Sequence, residues 1–578
     1  MEQTAMDSSP AIEPLPLEAI KQDLIRVYVE SSARGLVHSA HWSIELANSI
    51  EVKCTQMPSM IELSGDEVTE ASQLMLGKSL YDTREYRRAA SSLEKCNSTK
   101  ATFLRLYALY MAGEKNKEDN LVDAIGEDEV QDIKNEEMVA VKEELTTLAN
   151  NGTLDSYGHY LFGIICKEQK LLTEAREKFV KSCQLCPTFW GSWQELSRLC
   201  DDRKMLEGLP LPDHWMKKFY IANGYMELLH FEDAMSLYTS MVQQGLGHSP
   251  YVVSQIALAH YHLSYFQPSI DAFQHLEKLD PYQLDNVDTY SNVLFVKGNK
   301  VELTLLAERA TEIDRYRPET LCALGNLYTL RGEHENAVTH FKLATRIDRS
   351  SLSAWILLGH SYVELRNPTL AIEAYTRALA INKRDFRGHY GLGQAYEILK
   401  MPHMAMYFYK SAHTLRPNDG RFLRALSDCY LELNCPEEAK KCLKCAVSLG
   451  DNEGESILML AKLHEHDKEH GEAAKLYTKY LTVASTVGTT GNLEEQYHVH
   501  LFMSRHHLRQ GNYKEAEVHA HQACQFDVTR EKGKSLLREI YKRHGSIDST
   551  VGKGIAAADL SGLELDISPI SLFQEQTQ

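Results

Sequence analysis

The 578-residue sequence contains no run of about 18 consecutive apolar residues, so no membrane-spanning helix is expected. Basic residues are in deficit: 62 Lys and Arg stand against 80 Asp and Glu, a formal charge of −18. A general nucleic-acid binder needs a concentrated basic face, so neither nucleic acid nor membrane is an expected partner. The acidic balance suits a surface that receives basic peptides. Nucleophile elbow, phosphate loop and HExxH motif are all missing. Gly391-x-Gly393 lacks a third glycine and a preceding strand, which leaves it as repeat framework. The expectation is a non-enzyme without cofactor or metal. Met1 to Pro16 has neither the basic nor the apolar region of a signal peptide. Nucleus and cytoplasm are the expected compartments, where the 12 Cys stay reduced.

What the sequence does have is a repeat. Leu324-Gly325, Tyr328, Ala337, Phe341 and Ala344 return 34 residues later as Leu358-Gly359, Tyr362, Ala371, Tyr375 and Ala378. A further step of 34 gives Leu392-Gly393, Tyr396, Ala405, Tyr409 and Ala412, and another gives Leu426-Ser427, Tyr430, Ala439, Leu443 and Ala446. Positions i, i+1 and i+4 share one side of a first helix, and i, i+4 and i+7 share one side of a second. The alanines let the two helices approach closely. This is the tetratricopeptide pattern, and the fold class it predicts is all-α: a superhelical solenoid of antiparallel helix pairs, roughly 13 of them.

Along the chain the predicted organisation is a disordered lead over 1–15, N-terminal repeats over 16–112 and a charged insertion over 113–136. Divergent repeats with a Pro-rich break (Gly208 to Pro212) follow over 137–249. The regular array occupies 250–527, a capping helix 528–543 and a disordered tail 544–578.

Several residues that helix packing does not demand carry a closer likeness. They include Asn382-Lys383-Arg384-Asp385, Tyr390 to Gln394, Tyr396 to Pro402 and Leu415 to Asp419. Tyr251 to Ala257, Asp280-Pro281-Tyr282, Lys462 to Glu465, Asp527 to Leu537 and Arg34 to Ala40 add to it. Over about residues 17–543 the sequence resembles the subunit 8 family of the anaphase-promoting complex. The resemblance implies a non-catalytic scaffold in a multi-subunit E3 ubiquitin ligase of the cell cycle. It implies a homodimer through the N-terminal repeats, and contacts with other tetratricopeptide and scaffold subunits. It also implies capture of the arginine-containing C-box of a propeller coactivator in the C-terminal groove.

Groove-facing positions of the first helices are the candidate peptide-binding residues: Asn292, Asn326, Glu364, Gln394 and Glu397. Asp288, His360, Tyr390, Arg424 and Asp428 share their register. A carboxylate offers arginine a charge-assisted fork, an amide a directed acceptor and a ring a stacking face. Any surface helix also shows polar residues, so these positions are equally explained as solvated. The pairs Cys183/Cys186 and Cys442/Cys445 are read as packed thiols rather than zinc ligands, which converge in fours within short loops. The cluster of His464, at a framework position, with His466 and His470, at a helix end, is read as structural or solvated. Ser9 and Ser568, each before Pro, are candidate phosphorylation sites, where phosphate adds about −1.5 to −2 charges. The alternative function is a chaperone-docking tetratricopeptide co-chaperone, which clamps a C-terminal carboxylate with groove Lys and Arg; the acidic groove positions weigh against it.

Overall fold

A computed structural model describes residues 16–52, 65–123, 135–450, 454–487, 493–525 and 527–548. Ser9, Ser568 and the two terminal segments predicted as disordered fall outside the described residues, apart from the helix that runs on to Asp548. Among the described residues every regular element is a helix, and consecutive helices pack as antiparallel pairs. The chain divides into two compact units, Met1–Ala354 and Trp355–Gln578.

One contact closes hairpin after hairpin. In the pair Leu352–Glu364 and Pro368–Ile381, the side chains of Ala371, Tyr375 and Ala378 are fully buried. A Cβ added at Gly359 would stand 2.5 Å from Cε1 of Tyr375, so only a residue without one admits the ring. Gly325 under Phe341, Gly393 under Tyr409 and Gly163 under Phe179 repeat the arrangement.

Turns follow the same period. The turn inside most hairpins puts one residue in the left-handed region, and the next N–H bonds to a carbonyl five residues back: Asn367 to Tyr362 at 2.9 Å, Met401 to Tyr396 at 3.0 Å and Cys435 to Tyr430 at 2.9 Å. Gly298 and Gly332 fill this position without strain, whereas Arg366, Lys400 and Asn434 hold φ of 52°, 59° and 57° there. Between hairpins a short polar side chain accepts the N–H two residues on: Asp280 from Tyr282, Asp314 from Tyr316, Asp348 from Ser350 and Asn382 from Arg384, at 2.8–3.1 Å. Pro318, Pro368, Pro402 and Pro436 then occupy the first turn of a helix, where a missing N–H costs nothing.

Three boundaries differ from expectation. The helix Thr99–Asp123 runs straight through residue 113, where the insertion was placed. Asn135 explains why: its amide donates to the Tyr110 carbonyl at 3.0 Å and to Glu114 at 2.9 Å, against the bare Gly113. At the Pro-rich break a second helix survives as the short Arg203–Gly208. The last helix starts at Asp527 and continues to Asp548.

The pair Leu17–Ala33 and Val37–Ser49 also departs from a simple first repeat. It packs on helices Trp190–Arg198 and Pro250–His262 of the same unit. Trp42 stacks on Trp190 at 4.8 Å and meets Tyr251 and Phe219 edge-on at 5.7 and 5.9 Å. Arg34 lies over the Tyr157 ring at 4.2 Å and reaches Asp155 at 3.1 Å. Gly191 lets the pair come close, since a Cβ there would meet Ser39 Oγ at 2.9 Å.

The exposed Lys400 is a direct test of the turn. Its one charge contact, Glu432 at 3.7 Å, is solvated and worth little. Lys400→Gly is expected to raise the stability of the unit by about 0.5–1 kcal/mol, because glycine takes the left-handed conformation without a Cβ clash; urea unfolding followed by circular dichroism reads it.

Candidate functional site

First helices present the predicted ligand positions, and each unit uses them differently. In the first unit the wall from Tyr157 to Tyr251 is covered by residues 17–49, as described above. Further along, Asn292 and Asn326 meet each other. The Asn326 amide donates to Asn292 Oδ1 at 2.7 Å and to Ser291 Oγ at 2.8 Å, and both asparagines are buried. Residues one repeat apart on adjacent first helices thus spend their polar groups on one another.

In the second unit the positions are more open. Glu364 is exposed at the end of its helix, and its charge helps burial push the Tyr375 hydroxyl up. Gln394 is half-buried one turn before Glu397 on the helix Phe386–Ile398. Glu397 accepts the Tyr409 hydroxyl at 2.7 Å, and this satisfies a phenol that closes the hairpin from behind. Tyr477 repeats the device with Glu465 at 2.7 Å. The Tyr375 hydroxyl instead shares a hydrogen bond with His360 Nδ1 at 2.7 Å, while burial and the charge of Arg387 push that imidazole down to about 4. His360 is therefore neutral at physiological pH.

Asp428, on the next first helix, gathers the strongest electrostatics. Burial, then the charge of Glu397, push its carboxyl up to about 6; Arg424 opposes and Glu432 adds to the rise. Tyr390 stands in the same neighbourhood, its ring 5.5 Å from both Tyr409 and Phe422. Two half-buried carboxylates that repel each other beside an aromatic face make a site whose charge is under-compensated, which a guanidinium or ammonium relieves. Asp428 was legible only as a register position; Glu432 was missed, although it stands one turn after Asp428 on the same helix, Gly420–Glu432.

Other sequence expectations divide. Cys183 is fully buried, but Cys186 and Cys442 are half-buried and Cys445 is exposed, so the packed-thiol reading holds for Cys183 and fails for Cys445. Cys445 sits on the outward side of its helix, one residue short of the buried Ala446. Among the described residues no cluster of three or more His, Cys, Asp or Glu has metal-holding geometry. His464 is buried against Glu469, with Nδ1 at 2.5 Å from the carboxylate. Among the described residues no helix is long and apolar enough to cross a membrane.

This architecture is that of a tetratricopeptide-repeat protein, and residues 318–351 and 356–419 match that repeat family. Residues 19–257 match the family described as anaphase promoting complex subunit 8 / Cdc23. Over this stretch the chain is similar to the anaphase-promoting complex subunit 8 / Cdc23 family. It is 41% identical over 298 residues to the cell division cycle protein 23 homolog of Homo sapiens, which covers 51% of this chain and 50% of that protein. Anaphase-promoting complex subunit 8 of Arabidopsis thaliana is 39% identical over 251 residues, 43% of each chain. The chain thus spans about half the length of the curated relatives it matches. The crystal structure of the APC/C hetero-tetramer Cut9–Hcn1 shares the fold, with a TM-score of 0.50 at 17% identity over 83% of this chain and 96% of that one.

Asp428 supplies a test with a defined sign. Its folded-state value lies above the usual carboxylate value of about 3.9, so its contribution to stability is complete below that value and is lost as pH rises through about 6. Asp428→Asn is expected to stabilise the chain by about 1–2 kcal/mol at neutral pH, after allowance for partial exposure. The gain disappears in acid below pH of about 4; urea midpoints measured across this range read both features.

Proposed function

We propose that the chain is a non-catalytic scaffold subunit of the anaphase-promoting complex E3 ubiquitin ligase, acting through binding alone. On this reading it self-associates through its N-terminal repeats and contacts neighbouring tetratricopeptide subunits in nucleus and cytoplasm. The adjacent exposed Met75 and Leu76 on the helix Gly65–Asp82 support an N-terminal interface. The first helices of the second unit receive the arginine of a propeller coactivator's C-box, which supports ubiquitination of cell-cycle proteins.

One observation carries the peptide reading: burial first, and then the like charge of Glu397, raise Asp428 to about 6, in the neighbourhood of the Tyr390 ring. Arginine bound there would gain a carboxylate fork and a stacking face together. Glu364 and Gln394 extend the polar surface along the same unit. Asn292 and Asn326 serve in this proposal as a second polar patch, and a ligand reaching them has to displace the bond between their amides. The co-chaperone alternative lacks support at these positions, since clamping a carboxylate calls for cations where Glu364, Glu397 and Asp428 stand.

A fluorescent C-box peptide titrated against the full chain tests this. Asp428→Asn is expected to weaken binding by about 2 kcal/mol or more, as for one partner of a desolvated ion pair. Glu364→Ala, at an exposed position, should cost no more than about 1 kcal/mol. Binding to the unaltered chain should weaken as pH falls through about 6, when Asp428 takes a proton. Unchanged affinity in Asp428→Asn and Glu364→Ala would remove the placement.

A further inference from the structure

Second helices turn one side outward, and in this register their exposed positions are polar almost throughout. The position of Leu305 in the helix Lys300–Ile313 is Asp271, Thr339, Glu373 and Lys441 in four other repeats. Leu305 breaks that pattern with 61% of its surface exposed, and Val301, one turn earlier, is 74% exposed. The pattern breaks again at the same register in the helix Pro402–Leu415, where Tyr407 is 63% exposed and Met404 is 40% exposed.

These two apolar stripes differ in the charge that continues them. Beyond Leu305 the outward positions are Glu308 and Glu312, both exposed. Beyond Tyr407 the equivalent of Glu308 is the exposed Lys410, with the exposed His403 at the other end, and the helix Pro402–Leu415 contains no Asp or Glu. Its surroundings are also basic: residues 366–416 carry eight Lys and Arg against three Asp and Glu, in a chain whose overall charge is −18. Among the described residues Glu308, Glu312 and Lys410 form no ion pair within their own chain; Lys410 has only a distant approach to the Tyr430 ring at 5.7 Å.

We infer that these two outward faces are the halves of one interface between separate copies of the chain: Lys300–Ile313 of one molecule docks on Pro402–Leu415 of another. Leu305 and Val301 cover Tyr407 and Met404, and Glu308 and Glu312 flank Lys410, on a partner helix that runs parallel so that equal register positions meet. A second copy is the occupant because the complementary stripe exists in this same sequence at the matching helical register. The contact is heterologous, so each added copy leaves one face of each kind open, and association proceeds past a dimer. It buries one helix face per molecule, a small area, so the association is weak and reversible. Its ionic half is screened by salt. This inference is independent of coactivator binding and uses a surface other than the N-terminal repeats.

Sedimentation velocity of the full chain over the micromolar range, at low and high salt, provides the test. The expected result is concentration-dependent growth beyond a dimer that recedes in high salt. Lys410→Glu and Glu308→Lys should each weaken this growth about tenfold, and the chain carrying both reversals should recover to within about threefold of the original. Leu305→Ala with Tyr407→Ala should abolish it, while circular dichroism confirms that the exposed substitutions leave the fold intact. Growth that survives both single reversals, a double reversal that fails to recover, or absence of growth beyond a dimer would each overturn the assignment.

Discussion

An aromatic ring laid over a helix position without a Cβ is the contact that closes the four hairpins built on Gly163, Gly325, Gly359 and Gly393. Tyr375 over Gly359, Tyr409 over Gly393 and Phe341 over Gly325 bring the two helices closer than alanine would allow. The fully buried alanines on either side of each ring complete the close approach. A helix with glycine in its middle gives up about 0.5–1 kcal/mol of intrinsic propensity relative to alanine. That cost is accepted because a fully buried aromatic side chain returns more. Each tyrosine also brings a hydroxyl that must be satisfied, and His360 and Glu397 meet that need for Tyr375 and Tyr409. Where phenylalanine closes the hairpin, as at Phe341, first-helix polar groups are released for other partners, and Asn326 turns to Asn292.

This coupling between hairpin closure and the opposite wall of the first helix shapes function. Polar residues on the wall are partly committed from behind, so what is left for a ligand is decided repeat by repeat. Glu397 is shared between Tyr409 and the space it faces with Asp428, whereas Glu364 is uncommitted but solvated. In the first unit much of the wall is covered outright by the N-terminal helix pair, whose Trp42 and Arg34 fill it with aromatic stacking and a buried cation. The two units therefore offer unlike surfaces although they are built from one repeat.

The framework was readable in the sequence because each of its rules is local. A period of 34, glycine or serine beside leucine, and alanine at fixed offsets fix the helix pairs without long-range information. Pairing of Asn292 with Asn326 was also encoded, one period apart, but reading it requires knowing that adjacent first helices bring equal positions together. The stacking of Trp42 on Trp190 has no such signature, since nothing near either residue points to the other. The same holds for Asn135, which fastens a helix through Gly113 from beyond a charged stretch that composition alone marks as loose. Among candidate ligands, register found the helices and the faces. It did not reveal that Asp428, more than Glu364 or Asn326, carries the perturbed charge, because that depends on burial and on Glu397 across a helix boundary.

Equilibrium unfolding of Gly359→Ala addresses the central contact most directly. Helix propensity alone predicts a more stable chain, by about 0.5–1 kcal/mol. A Cβ 2.5 Å from Tyr375 Cε1 must instead displace a fully buried ring. The account predicts a loss of about 1–3 kcal/mol, the usual cost of overpacking. A variant as stable as the original chain, or more so, would contradict it.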